Sequence, residues 1–192
     1  MFEKLEVKIK GVSPLILHSN QTADPLNEHT KAIKKVSSVR KKTDKDHEQL
    51  AELEWRAALY VNDDGKVIVP GDCIKAMLIE SAKKQKLGKA FKPAVFCFDD
   101  ALVEYDGPKN IDKLYESGKF ISRAVVKVMQ ARIVRTRPIF HDWKLTFTLD
   151  YLPTEIDVDQ VKDAMITAGR LIGLCDWRPV HGRFEVESFT NI

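Results

Sequence analysis

Cysteine is scarce in this 192-residue chain, and the three present, Cys73, Cys97 and Cys175, are an odd number without C-x-x-C spacing. That excludes a disulfide framework and the usual structural zinc site, and leaves thiols expected to be reduced and mostly buried. The five histidines, His18, His29, His47, His141 and His181, form no HxxxH or HxH pair that would set two imidazoles on one metal. GxSxG, HExxH, P-loop and Rossmann spacings are absent too, so no cofactor and no metal is expected. No apolar run is long enough to cross a bilayer, and Met1 is followed at once by Glu3, Lys4 and Glu6 rather than by a signal peptide. The expectation is a cytoplasmic protein with no membrane contact.

Apolar residues make up 44% of the chain and charged residues 31%, the proportions of a folded domain. The length suits one core with sizeable insertions. The net charge of +3 hides a strong asymmetry. Residues 29–47 hold seven Lys or Arg against two Asp, a net +5, and residues 119–137 hold six Lys or Arg and no acid, a net +6; the remainder carries −8. Two concentrated basic segments are what a polyanion partner would select, whereas a single lysine-rich loop would more simply be a solvated surface.

Strand and helix periods alternate along the chain. "FEKLEVKIK" alternates Leu5, Val7 and Ile9 with charge, a strand with one wet face. "EQLAELEWRAALY" has helical spacing through Leu50, Leu53, Ala57 and Tyr60. A helix opens near Asp72, a good N-cap, with Ile74, Met77, Leu78 and Ala82 as its buried stripe. "AVFCFDDALVEY" reads as β, "DGPKNIDKLYESGKF" as irregular, and "ISRAVVKVMQARIVRTRPIF" as a hairpin or bent ribbon with Met129 and Gln130 near its tip. "WKLTFTLDYL" alternates as a strand, Asp157 caps a helix to Ile172, and Arg183 to Phe189 is the last strand. The core order over 2–10, 72–86, 94–104, 143–152, 157–172 and 183–189 is strand, helix, strand, strand, helix, strand. This predicts an α+β fold with a ferredoxin-like (RRM-like) split βαβ core, one domain over 1–192, and insertions at 19–65 and 105–140. The basic segments fall inside those insertions, beside an open sheet of the kind that carries single-stranded nucleic acid.

Three stretches resemble the RAMP superfamily of CRISPR systems, especially the backbone subunits that coat guide RNA. They are the opening strand and small-residue turn "VKIKGVSPLIL", the strand-Pro-Gly-helix stretch "VIVPGDCIKAMLIESAK" with Lys75 early in the helix, and the loop "GLCDWRPVHGRFEVE" before the last strand. That loop is poorer in glycine than the family's, and the chain is short for a backbone subunit, so a phage or mobile-element relative in a host cytoplasm fits equally. The resemblance implies a sequence-tolerant, non-catalytic protein that binds single-stranded RNA or DNA and assembles as a homo-oligomer or filament along the strand.

The candidate contacts follow from side-chain chemistry. In the C-terminal turn, Gly173 and Gly182 permit close backbone approach to a ligand, and Pro179 stiffens the loop. Arg178 and Arg183 can fork onto phosphate, and His181 lies between them. Trp177 either offers a base a stacking face or plugs the core, with Asp176 pairing Arg178 or Arg183 in the second case. In the ribbon, Arg123 and Lys127 share one face, as do Arg135 and Arg137, with Arg132 between; such a ribbon follows a phosphate backbone, reaches a neighbouring subunit, or only prevents edge pairing. Lys31, Lys34, Lys35, Arg40, Lys41 and Lys42 suit a mobile loop that orders on a polyanion, or an idle solubilising loop. Some RAMP proteins cut RNA, which makes His18, His181, Asp24, Asp106 and Asp112 the residues of an endoribonuclease alternative. A phage module that mimics or blocks a CRISPR backbone subunit is the remaining alternative.

Overall fold

The computed structural model describes residues 1–192, with Val128 described by its backbone alone. In chain order the elements are β1 (Glu3–Gly11), β2 (Leu15–Ile16), α1 (Glu28–Ser37), α2 (Asp44–Ala58), β3 (Ile68–Val69), α3 (Gly71–Lys84), α4 (Gly88–Ala94), β4 (Val95–Phe96), β5 (Ala101–Leu102) and β6 (Glu104–Tyr105). They continue with α5 (Ile111–Glu116), β7 (Ile121–Val128), β8 (Ala131–Phe140), β9 (Trp143–Tyr151), α6 (Val158–Thr167) and β10 (Phe184–Asn191). The fold is mixed α and β, with six helices and several antiparallel sheets. Among the described residues no helix is long and apolar enough to cross a membrane. The chain forms two compact units, one from 1–15, 62–106 and 140–192, the other from 16–61 and 107–139.

The first unit is built on an antiparallel sheet in the order β10-β1-β9-β4, with β6 also pairing β9. Alternation places Leu5, Val7 and Ile9 of β1 and Leu145, Phe147 and Leu149 of β9 on one buried face. Ile74, Met77 and Leu78 of α3 and Val161, Ala164 and Met165 of α6 complete that core, and the Ser81 hydroxyl donates to the Ala164 carbonyl at 2.6 Å. The other face carries Lys4, Glu6, Lys8 and Lys144, charges largely matched by Lys4–Asp150 at 3.6 Å, Lys8–Glu6 at 3.7 Å and Lys144–Glu187 at 2.8 Å. Trp143 lies against Gly11, where a Cβ would fall 2.2 Å from the indole nitrogen, and donates to the Ser13 carbonyl at 2.9 Å.

Three expectations for this unit are corrected. The strand read over 94–104 is three short pieces. After β4 the chain leaves β9, lets Asp100 accept from the Gly71 amide at 3.1 Å, pairs as β5 with β3, and returns as β6. That contact holds the start of α3, whose N-cap is Pro70; Asp72 sits in the first turn. Helix α6 ends at Thr167 and a wider turn covers 168–172, because the chain there crosses β10 so closely that a Cβ on Gly169 would meet the Phe184 carbonyl at 2.2 Å.

The second unit has the sheet β2-β8-β7 and the packed helices α1 and α2. Trp55 of α2 is fully buried, donates its indole N–H to the Phe120 carbonyl at 2.8 Å and meets the Tyr115 ring edge-on. β7 and β8 form the expected hairpin, with Met129 (φ 54°) and Gln130 as its two-residue turn. Of the loop expected at 31–42, the first half is helical: Lys31, Lys34 and Lys35 belong to α1, capped by Asn27, whose side chain accepts from the His29 amide at 2.9 Å, while Arg40, Lys41 and Lys42 lie in the connection to α2. The excursion after β6 contains α5, capped by Asn110 accepting from the Lys113 amide at 3.0 Å.

Candidate nucleic-acid interface

Pairing across the hairpin sorts its cations onto two faces. Arg123 stands opposite Thr136, Val125 opposite Val134 and Lys127 opposite Arg132, so Arg123, Lys127 and Arg132 share one face. All three are exposed, no ion pair holds them among the described residues, and the 63% exposed Val125 lies between. Arg135 stands opposite Ala124 and Arg137 opposite Ser122, on the other face with Val126.

That second face looks into a pocket of about 470 Å³ within the second unit. Helix α1 contributes Thr30, Ile33, Lys34 and Ser37, the i, i+3, i+4, i+7 set of one helical face. Helix α2 contributes Glu54, Ala57 and Ala58. Glu54, its side chain 10% exposed, forms an ion pair with Arg135 and accepts from the Thr136 amide at 3.0 Å, so one carboxylate fixes both the guanidinium and the strand that carries it. Lys34, Arg135, Arg137 and His18 thus meet at one pocket although they come from three separate stretches of chain. Sequence reading missed Glu54; the available signal was an acid three and four residues before Ala57 and Ala58 on a small-residue helix face.

Lys42 and Arg123 border a second cleft of about 720 Å³ with His47, Asp44 and Glu48. Lys42 also donates to the Val39 carbonyl at 2.9 Å. Lys35, Arg40 and Lys41 are exposed and line neither cleft.

The C-terminal loop belongs to the first unit, and its geometry corrects the reading of its glycines. Gly173 (φ +80°) and Gly182 (φ +71°) bring backbone against backbone, not against an open ligand space. A Cβ on Gly173 would lie 2.6 Å from the His181 carbonyl oxygen, and one on Gly182 2.0 Å from that of Leu174. The Leu174 amide donates to Gly182 at 2.8 Å, and the Gly182 amide to Pro14 at 2.8 Å, closing the loop onto the turn after β1. Trp177 is no core plug: it is 42% exposed and lies 5.1 Å from the His181 ring. Arg178 pairs with Glu80 of α3 at 3.0 Å. Trp177, Arg178 and Lys84 border a cleft of about 670 Å³. Arg183 lines a different groove, of about 370 Å³, with Arg170 along β10, so Trp177 and Arg183 do not share one site. The His181 Nδ1 is buried without a hydrogen-bond partner among the described residues.

Lys75 holds its ammonium 3.5 Å from the Phe96 ring centroid. Burial lowers its pKa; Asp72 opposes that and Lys92 adds to it. Phe96 in turn stacks on Phe98, 5.1 Å away and nearly parallel, and Phe98 is 67% exposed. Of the remaining acids, the Asp24 carboxylate accepts from the Leu26 amide at 2.8 Å and Asp112 pairs with Arg56 at 2.8 Å, both holding structure, while Asp106 borders a shallow groove beside Trp143.

No family model matches the sequence, and no curated protein matches it. Solved structures do match. One is a chain in the cryo-EM structure of the Type III-B Cmr-beta bound to cognate target RNA, similar over all of this chain with a TM-score of 0.51 and 11% identity. The present chain spans 61% of that chain's length. At this identity the likeness is one of fold.

Proposed function

We propose that the chain is a RAMP-like subunit that binds single-stranded RNA without sequence preference and works as one of several subunits along the strand. The order β10-β1-β9-β4, with α3 and α6 on one face, is read as a ferredoxin-like split βαβ core, and the second unit as the elaboration made by insertions 19–65 and 105–140. The similar chain comes from a complex described as bound to cognate target RNA, which favours RNA over DNA here. The observation that carries the reading is the hairpin face on which Arg123, Lys127 and Arg132 stand exposed and held by no ion pair among the described residues. Cations that no ion pair holds are available to phosphates. Tolerance of sequence follows because guanidinium and ammonium groups address phosphate, and an exposed ring such as Trp177 addresses the π-face common to all bases. The open face of the sheet contributes little, since its charges are matched internally.

The test replaces Arg123, Lys127 and Arg132 together by Gln and follows affinity for a labelled single-stranded RNA as salt is raised. The loss of three phosphate contacts should flatten the slope of log affinity against log salt by about 2. An unchanged slope would show that the hairpin does not touch the strand.

One observation favours a second reading, an endoribonuclease. His18 borders the same pocket as Lys34, Arg135 and Arg137, so an imidazole able to move a proton sits beside cations able to stabilise a phosphorane. Loss of RNA cleavage in His18→Ala with binding retained would establish it, and absence of turnover on any RNA would dismiss it.

A further inference from the structure

The pocket between α1, α2 and the hairpin has a size and charge that an internal phosphodiester does not use. A phosphodiester brings one negative charge, whereas a phosphomonoester brings close to two at neutral pH. The formally charged residues at the pocket are Lys34, Arg135, Arg137 and Glu54, a net +2 with His18 neutral. Its volume of about 470 Å³ lies within the range of small-ligand sites and far exceeds what a bare phosphate fills. Charged and apolar side chains share the lining. The cations come from one side of the hairpin and one turn of α1, while Ile33, Ala57, Ala58 and Val126 supply an apolar surface for a nucleoside. The Thr30 hydroxyl donates to the Thr22 carbonyl and the Ser37 hydroxyl to that of Lys34, so neither hydroxyl proton is left for an anion.

We propose that this pocket binds a nucleoside monophosphate group, the phosphomonoester held by Lys34, Arg135 and Arg137 and the nucleoside resting on the apolar wall. Such a group comes either as a free mononucleotide or as the phosphorylated end of a strand. The proposal goes beyond general strand binding and does not depend on it. Glu54 serves the site by holding Arg135 in place, at the cost of one opposing charge.

The experiment titrates the full chain with adenosine 5′-monophosphate, adenosine and inorganic phosphate, following backbone amide resonances of residues 30–37 and 122–137. Adenosine 5′-monophosphate should shift both segments, more tightly than either of its parts. Lys34→Gln, an exposed position that leaves the fold intact, should weaken it about tenfold. Adenosine or phosphate binding as tightly as the nucleotide, or shifts confined to other residues, would overturn the proposal. Parallel titrations with 5′-phosphorylated and 5′-hydroxyl RNA separate the sources: a preference for the phosphorylated strand assigns the pocket to strand ends, and equal affinity with nucleotide binding retained assigns it to the free nucleotide. The strand-binding reading is scored by the 5′-hydroxyl RNA alone, so either reading can fail without the other.

Discussion

Replacing Glu54 by Gln should move stability and affinity for adenosine 5′-monophosphate in opposite directions. In the fold its carboxylate takes the Arg135 guanidinium on one oxygen and the Thr136 amide on the other. Glutamine keeps one acceptor and turns a donor toward the second group, so one charge-assisted bond is lost. Such bonds contribute about 1.5–3 kcal/mol. Arg135 is 39% exposed and partly screened, which brings the expected loss to about 1–2 kcal/mol. The pocket meanwhile goes from a net +2 to a net +3. An unopposed charge near a phosphate is worth on the order of 1 kcal/mol at a partly solvated site, or about fivefold in affinity at low salt. Urea denaturation followed by circular dichroism measures the first effect, and isothermal titration calorimetry with adenosine 5′-monophosphate at two salt concentrations the second. Affinity that falls together with stability, or does not change, would refute the placement of the phosphomonoester at this pocket.

Trp177→Ala should leave thermal stability nearly unchanged, because the ring is 42% exposed, while weakening RNA binding by about 1–3 kcal/mol if a base stacks there; calorimetry and anisotropy together decide it. Gly182→Ala has no room beside the Leu174 carbonyl and should cost about 2 kcal/mol or more, whereas Gly65→Ala, at a similar φ of +74° with nothing within 4 Å, should cost about 1 kcal/mol; their difference in melting temperature isolates the loop closure. Tyr151 donates to Glu3 at 2.6 Å, and that bond with burial raises its phenol to about 12 from an ordinary 10.0. The fold therefore favours the protonated phenol, so this contribution is complete below pH 10 and is lost as pH rises toward 12. Tyr151→Phe should flatten that alkaline decline in denaturation experiments.

Local pattern made much of the architecture legible. The alternation of Leu5, Val7 and Ile9 gives β1, the stripe from Ile74 to Ala82 gives α3, and the run of β-branched residues around Met129 and Gln130 gives the hairpin. Helix α1 was hidden because it buries only Val36 in ten residues, so its lysines dominate the pattern. The break after Phe96 was hidden because it depends on Asp100 reaching Gly71, a contact across 29 residues. The same holds at the site. The cations were visible as residue types, but which of them a carboxylate holds was not: Glu54 meets Arg135 across 81 residues, and Glu80 meets Arg178 from a different helix. Glycine spacing in the C-terminal loop announced a tight backbone approach, yet only the fold shows that the approaching partner is the loop's own chain.

The central claim is that unmatched cations of this chain neutralise the phosphates of single-stranded RNA. A salt titration of binding to single-stranded RNA, with duplex DNA as comparison and particle size followed by light scattering, tests it most directly. About six phosphates neutralised per chain predict a slope near −4 in log affinity against log salt, tighter binding of the RNA than of the duplex, and particles that grow with strand length. No binding at low salt, or a slope near zero, would contradict the account.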